Sequence, residues 1–265
     1  MSFEFSCGIS NLNFIAVILT DTVSTEELVM SYSEEELSQG LILVYLDVEN
    51  LLKQDFLALL PLNLTETAKD IFQQSLEESQ TMLKMNQQKL TQLITSRVST
   101  KSCAYLKQVS DIPRLYRRTN RDIPTKACTY LTSLLDPIEK FALNNGNNEF
   151  SKHWLTLIFT EVSSKFLAQV GDILDSVQKM EESLKRLRRV RDKNSSEKNV
   201  QEKSALNISD DDKIRLQLFV DVQTFGQAME KLGVEKSEDM SKLEMLVDEA
   251  TKSCYSDYIE KLNQQ

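Results

Sequence analysis

Glycine and proline are the scarce residues of this chain, six and four among 265. A fold built on turns needs many more of both, because they supply the special backbone angles of turns, so sheet-rich architectures are excluded. Histidine occurs once, at His153 beside Trp154. A catalytic triad or zinc site would have to be built around it; no second imidazole completes most metal sites and no nucleophile motif accompanies it, so a surface or packing role is the plain reading. The glycines are dispersed from Gly8 to Gly233, so no loop cradles a phosphate. Cys7, Cys103, Cys128 and Cys254 lie far apart with no CxxC or CxxH pattern. They read as reduced cytosolic thiols, not as a disulfide scaffold.

Long apolar runs are missing as well. Phe14 to Leu19 and Leu41 to Leu46 are too short to cross a bilayer, and no basic segment precedes the first. The expectation is therefore no signal peptide and no membrane span, which makes the sequons at Asn63, Asn194 and Asn207 chance matches. Excess positive charge is absent too. The net charge of −9 argues against wholesale nucleic-acid binding, which needs many Lys and Arg facing phosphates.

What is present suits helices. Hydrophobic residues make up 41 % and charged residues 27 %, and Leu, Ser, Lys, Glu and Gln are common. All-α is the predicted class, with long antiparallel helices in elongated bundles. Residues 1–40 read as a poorly defined lead-in, and 41–192 as a helical bundle. Within it, Leu41 to Leu60 is strongly apolar until Pro61. Thr65 then caps a long helix with no Gly or Pro before Pro113. About 45 residues at roughly 1.5 Å each would reach about 65 Å.

Pro113 and Pro124 bracket a stretch, Ile112 to Ile123, that reads as irregular. A shorter helix is expected from Tyr130 to Leu143 despite Pro137, then a loop at Asn144 to Asn148. A second long helix is predicted from Glu149 to Asp192, its buried stripe running from Trp154 through Phe166 and Val177 to Leu184 and Leu187. Residues 193–208 are polar and read as a disordered linker. Residues 209–265 read as a C-terminal helical hairpin, with Ser209 and Asp210-Asp211-Asp212 capping the first helix and Gly233 stopping it. The second helix runs from about Ser237 to Leu262.

Carboxylates are abundant but fall on polar helix faces, and the aspartate run lacks the spacing of a calcium loop. No catalytic, cofactor or metal site is predicted. Two basic islands remain as candidate partner or membrane contacts. The first contains Arg114, Tyr116, Arg117 and Arg118. Its arginines have two available roles, pairing with acidic helices of the same chain or meeting an external partner. The second contains Lys185, Arg186, Arg188 and Arg189, and through Lys193 it sets six cations against one carboxylate, a net +5. Cations at a helix C-terminus are favoured by its dipole, so a solvated helix end is the alternative to an anionic membrane or acidic partner.

Three segments carry a resemblance: Ile112-Pro-Arg-Leu-Tyr-Arg-Arg-Thr-Asn120, Val177-Gln-Lys-Met-Glu-Glu-Ser-Leu-Lys-Arg-Leu187 and Ser209-Asp-Asp-Asp-Lys-Ile-Arg-Leu-Gln-Leu218. In this order they resemble the C-terminal region of subunit 2 of the conserved oligomeric Golgi complex. A looser likeness reaches back to Leu43-Val-Tyr-Leu-Asp-Val48. The resemblance implies stacked helical bundles in a rod, and a non-catalytic subunit of a vesicle tether on the cytosolic face of the Golgi. It implies as partners the other subunits of that complex, with golgins, Rab or SNARE proteins beyond them, and a role in retrograde transport and glycosylation. Members of that family are longer and begin with coiled-coil assembly segments, so this chain looks like a fragment, a short isoform or an incomplete gene model. A structural coiled-coil or cytoskeletal adaptor is the alternative, which strict heptads across 65–110 would favour; there the apolar spacing drifts.

Overall fold

The computed structural model describes residues 36, 38–39, 66–119, 121–146, 148–194 and 208–252. Among them the secondary structure is entirely helical: α1 Glu66–Cys103, a 3₁₀ helix Ala104–Asp111, α2 Ile112–Thr119, α3 Thr129–Asn145, α4 Glu149–Asn194, α5 Asp210–Lys231 and α6 Glu238–Thr251. The all-α expectation holds. The apolar segment 41–60 and most of the polar stretch 193–208 lie outside the described residues, as does the expected helix beyond Lys252.

Pro113 accounts for the 3₁₀ bond at the junction with α2. In a continuing α-helix the Val109 carbonyl would accept from the N–H of residue 113, and proline has none. The carbonyl instead accepts from the Ile112 N–H, one residue nearer, which is the 3₁₀ bond. The chain then re-enters α-geometry with Pro113 in the first turn of α2, where a missing N–H costs nothing. The stretch Ile112 to Ile123 is therefore not irregular throughout: its first eight residues are helical, and only residues from 121 onward lack regular structure. Pro137 is carried inside α3, as expected.

The caps follow the sequence closely. Ser209 Oγ accepts from Asp212 N–H (3.1 Å) and Ser237 Oγ from Met240 N–H (3.1 Å), fixing the starts of α5 and α6. Gly233, at φ 70°, ends α5 in a two-bond C-cap: Val234 N–H to Met229 O and Gly233 N–H to Glu230 O.

The chain divides into two compact units. The first comprises Met1–Val98 with Phe141–Trp154. There Leu90, Ile94 and Val98 of α1 are buried, and Trp154 packs its ring against Phe141 (6.1 Å) and Phe150 (6.5 Å). Asn148 caps α4 through Oδ1 to Ser151 N–H (2.8 Å), which turns the asparagine-rich loop into a helix start. Ile71 of α1 is exposed.

The second unit comprises Ser99–Lys140 with Leu155–Gln265. An aromatic cluster lies at its centre, with Phe225 of α5 against both Phe159 (5.5 Å) and Phe166 (5.6 Å) of α4, and Phe166 edge-on to Tyr130 of α3. Ile214, Leu218, Val222, Phe225 and Met229 of α5 are buried at helical spacing, and Leu232 at its end is half-buried. Its neighbour α6 lies so close that a Cβ on Gly226 would meet Glu244 Oε1 and Met240 Cε at 3.1 Å. The stripe of α4 is buried only as far as Val177. Leu184 and Leu187, placed in it by their spacing, are exposed.

Candidate interaction site

Helix α5 carries a second stripe that the apolar pattern hides. Lys213, Gln217 and Asp221 are spaced four apart, hence on one face, and all three are buried. Each reaches the irregular segment between α2 and α3. Lys213 Nζ donates to Arg121 O (2.8 Å), Gln217 Nε2 donates to Lys126 O (3.0 Å), and Asp221 Oδ1 accepts from Cys128 N–H (2.7 Å). A segment with no ladder of its own leaves its backbone polar groups to be satisfied elsewhere, and this stripe satisfies three of them.

The network closes on itself. Gln217 Oε1 accepts from Tyr116 Oη–H of α2 (2.6 Å), while its Nε2 also donates to Asp221 Oδ1 (2.8 Å). Tyr130 Oη donates to Asp221 Oδ2 (2.9 Å). Burial pushes the Asp221 carboxyl above its ordinary pKa, and hydrogen bonds from the Cys128 N–H, Tyr130, Gln217 and the Cys128 thiol offset part of that. Burial likewise raises Tyr116 and Tyr130, with the Asp221 charge adding to it. The Cys128 thiol is pushed up to about 12, first by burial and then by Asp221.

The aspartate run is a cap and also a set of ion pairs. Arg117 of α2 donates through Nε (3.2 Å) and Nη2 (2.7 Å) to Asp211 Oδ1. Lys213 Nζ lies 3.5 Å from Asp210. Arg215 joins Asp212 (3.0 Å) to Glu181 of α4 (2.9 Å), and the bond to Arg215 holds the Glu181 carboxyl below its usual range. The three segments singled out in the sequence thus meet around the first turns of α5.

Of the sequence-predicted contact residues, Tyr116 and Arg117 are internal. Tyr116 is buried and bonded to Gln217, so it is no external contact, and the partly covered Arg117 is forked onto Asp211, the same-chain pairing that was one of the two roles open to these arginines. Arg114 is exposed and reaches only Asp111 at 3.4 Å, and Arg118 is exposed. In the second island Lys185 and Arg186 lie at 3.9 and 4.0 Å from Glu181 and Glu182, and Arg188 and Arg189 make no ion pair among the described residues. All four are exposed. His153 is exposed as well. Among the described residues no group of three or more His, Cys, Asp or Glu is placed to hold a metal ion, and no helix is long and apolar enough to cross a membrane.

A family model described as COG complex component, COG2, C-terminal matches residues 13–222. The chain belongs to this family. Conserved oligomeric Golgi complex subunit 2 of Homo sapiens is 39 % identical over 169 residues, covering 62 % of this chain and 22 % of the human protein. The protein of the same name from Drosophila melanogaster is 37 % identical over 155 residues (57 % and 21 %), and that from Arabidopsis thaliana 25 % over 175 residues (64 % and 23 %). The chain spans about a fifth of the length of these relatives. No solved structure matches it.

Proposed function

We propose that this chain serves as the C-terminal, partner-binding part of a Golgi tethering subunit and carries out no reaction itself. Family membership across 13–222 is the observation that supports this reading. In it the chain acts on the cytosolic face of the Golgi as a peripheral component. It binds other subunits of the oligomeric complex and, through them or directly, golgins, Rab or SNARE proteins, without cofactor or nucleic acid. The result is capture of recycling vesicles in retrograde transport, which keeps glycosylation enzymes in their cisternae.

The domain reading belongs to the same proposal: a bundle over 41–192, a polar linker over 193–208 and a hairpin over 209–265 that is docked on the bundle by α5. The exposed cations Arg114, Arg118, Lys185, Arg186, Arg188 and Arg189 are the surface left for partners. The test is replacement of the corresponding C-terminal region of human subunit 2 with this chain, in cells lacking that subunit. Recovery of the remaining subunits with the chimera and restored surface glycosylation are expected. A chimera that enters the complex but leaves glycosylation defective would overturn the reading.

A further inference from the structure

The apolar stripe of α4 keeps one spacing while its surroundings change. Val170, Ile173, Val177, Met180, Leu184 and Leu187 follow each other at intervals of three, four, three, four and three residues. That alternation is the seam of a helix built to pack lengthwise on another helix. Ile173 and Val177 are 6 % and 1 % exposed, against 42 % for Met180, 46 % for Leu184 and 66 % for Leu187. Among the described residues the seam therefore outruns the bundle by about two turns.

Charge states what the missing neighbour is. Arg188 falls directly beside the seam, in the position that faces a packed helix's flank, and Lys185 lies next to it on the same side. Glu181, the other flanking group, already faces Arg215 of α5. Lys185 stands 3.9 Å from the same Glu181, so among the described residues Arg188 is the flanking cation without an ion pair, and an approaching helix meets a net positive flank. A lipid surface needs a broad apolar face without strict register, whereas this seam is one side chain wide and holds the 3.5-residue period throughout.

We infer that the projecting end of α4, from Met180 to Arg189, is a docking seam for an amphipathic α-helix of another polypeptide, with apolar residues at heptad spacing and acidic flanks. The inference rests on the partner-binding role proposed above and supplies the partner's chemistry. Docking covers Leu184 and Leu187 and pairs Arg188 and Lys185 with carboxylates, and these pairs set the choice of partner.

The probe is a synthetic 21-residue peptide with Leu at both seam positions of each heptad and Glu at the flanking ones, whose like charges keep it from pairing with itself. A second peptide carries Lys at the flanks, and the third probe is vesicles of phosphatidylcholine and phosphatidylserine. Binding to the purified chain is read by fluorescence anisotropy and by vesicle flotation. The acidic peptide is expected to bind, with its affinity falling at least tenfold in Leu184→Asp/Leu187→Asp and in Lys185→Glu/Arg188→Glu, and the lysine peptide is expected not to bind. Both variants change exposed side chains, and an unaltered melting transition checks that they fold. Binding that ignores the variants, binding to vesicles alone, or a homodimer in sedimentation that L184D/L187D dissolves would each overturn the inference. The peptide assay reads the seam alone, so its failure leaves the chimera result standing, and the reverse also holds.

Discussion

Tyr116 and Gln217, 101 residues apart in the chain, meet in a buried hydrogen bond of 2.6 Å. The bond ties α2 to α5, and with it the two sides of the polar stretch that separates α4 from α5. Both N–H groups of Gln217 are committed, to Lys126 O and Asp221, and its oxygen accepts from Tyr116. Removing the phenol leaves a buried amide oxygen without a donor. Tyr116→Phe should therefore destabilise the chain by about 1–2 kcal/mol, read as a lower urea midpoint in far-UV circular dichroism. An unchanged midpoint would mean that the network re-forms around water.

Asp221 distinguishes between losing an acceptor and losing a charge. Asp221→Ala strands the Cys128 N–H, the Tyr130 hydroxyl and one N–H of Gln217, and should cost about 3 kcal/mol. Asp221→Asn keeps Oδ1 for Cys128 and Gln217, and its amide can donate to the Tyr130 oxygen, so it should cost much less. The two variants falling by the same amount would show that the charge, not the acceptor geometry, holds the segment.

The pH dependence carries a definite sign. Because the folded carboxyl of Asp221 titrates above its ordinary value of 3.8, the folded state holds the proton over a window where the unfolded state has released it. Its contribution to stability therefore decreases as pH rises through that window. Glu181 works the other way: its folded pKa is lowered from 4.5 by the Arg215 bond, so its stabilisation is present above 4.5 and is lost as pH falls through the folded value. Wild type should gain on Asp221→Asn as the pH is lowered toward 4. Arg215→Met should flatten the acid limb in urea titrations between pH 3 and 7. Parallel curves for wild type and D221N would contradict the buried, raised carboxyl.

Apolar period and capping chemistry made the helices legible: Ser209, Gly233 and Ser237 bound α5 and the start of α6 where their side chains or backbone freedom demand it. From sequence Pro113 reads as a boundary of irregular chain, because a proline is as compatible with a first turn as with a loop and the Arg-rich residues after it show no long period. The clamp was harder to see. Lys213, Gln217 and Asp221 sit at helical spacing on an otherwise apolar element, a signal available in the sequence. Their partners, however, are backbone atoms of a segment about 90 residues away, which no local pattern announces. Leu184 and Leu187 misled for the opposite reason: periodicity reports a face meant for packing and says nothing of which chain packs on it.

Arg117 and Asp211 test whether the first basic island is internal. Both side chains are largely covered, and both guanidinium donors reach one carboxylate oxygen, so the pair should couple by about 1 kcal/mol in a double-mutant cycle of Arg117→Ala and Asp211→Ala. The coupling should shrink little between low and moderate salt, as expected of a partly buried pair. By contrast Arg114→Ala, at an exposed site, should leave the midpoint unchanged. Zero coupling for the first pair would return Arg117 to the external surface.

Cys128 provides a chemical report on the same clamp. Its thiol is pushed up to about 12 by burial and by the neighbouring Asp221, and burial raises the Cys103 thiol as well. The thiolate is the reactive species, so raising the thiol from its ordinary 9.0 to about 12 lowers the thiolate population at pH 8 about a thousandfold. Cys128 is half-buried, not sealed, so the suppression is one of protonation as well as access. Iodoacetamide at pH 8, followed by peptide mass mapping, should label Cys128 far more slowly in the folded chain than in 6 M guanidinium. The folded rate should keep climbing about tenfold per pH unit through pH 10, where an ordinary thiol levels off. Asp221→Ala should accelerate labelling at pH 8 by removing the charge and loosening residues 121–128. A folded rate that plateaus near pH 9 would show that access alone protects the thiol and that the carboxylate does not face it.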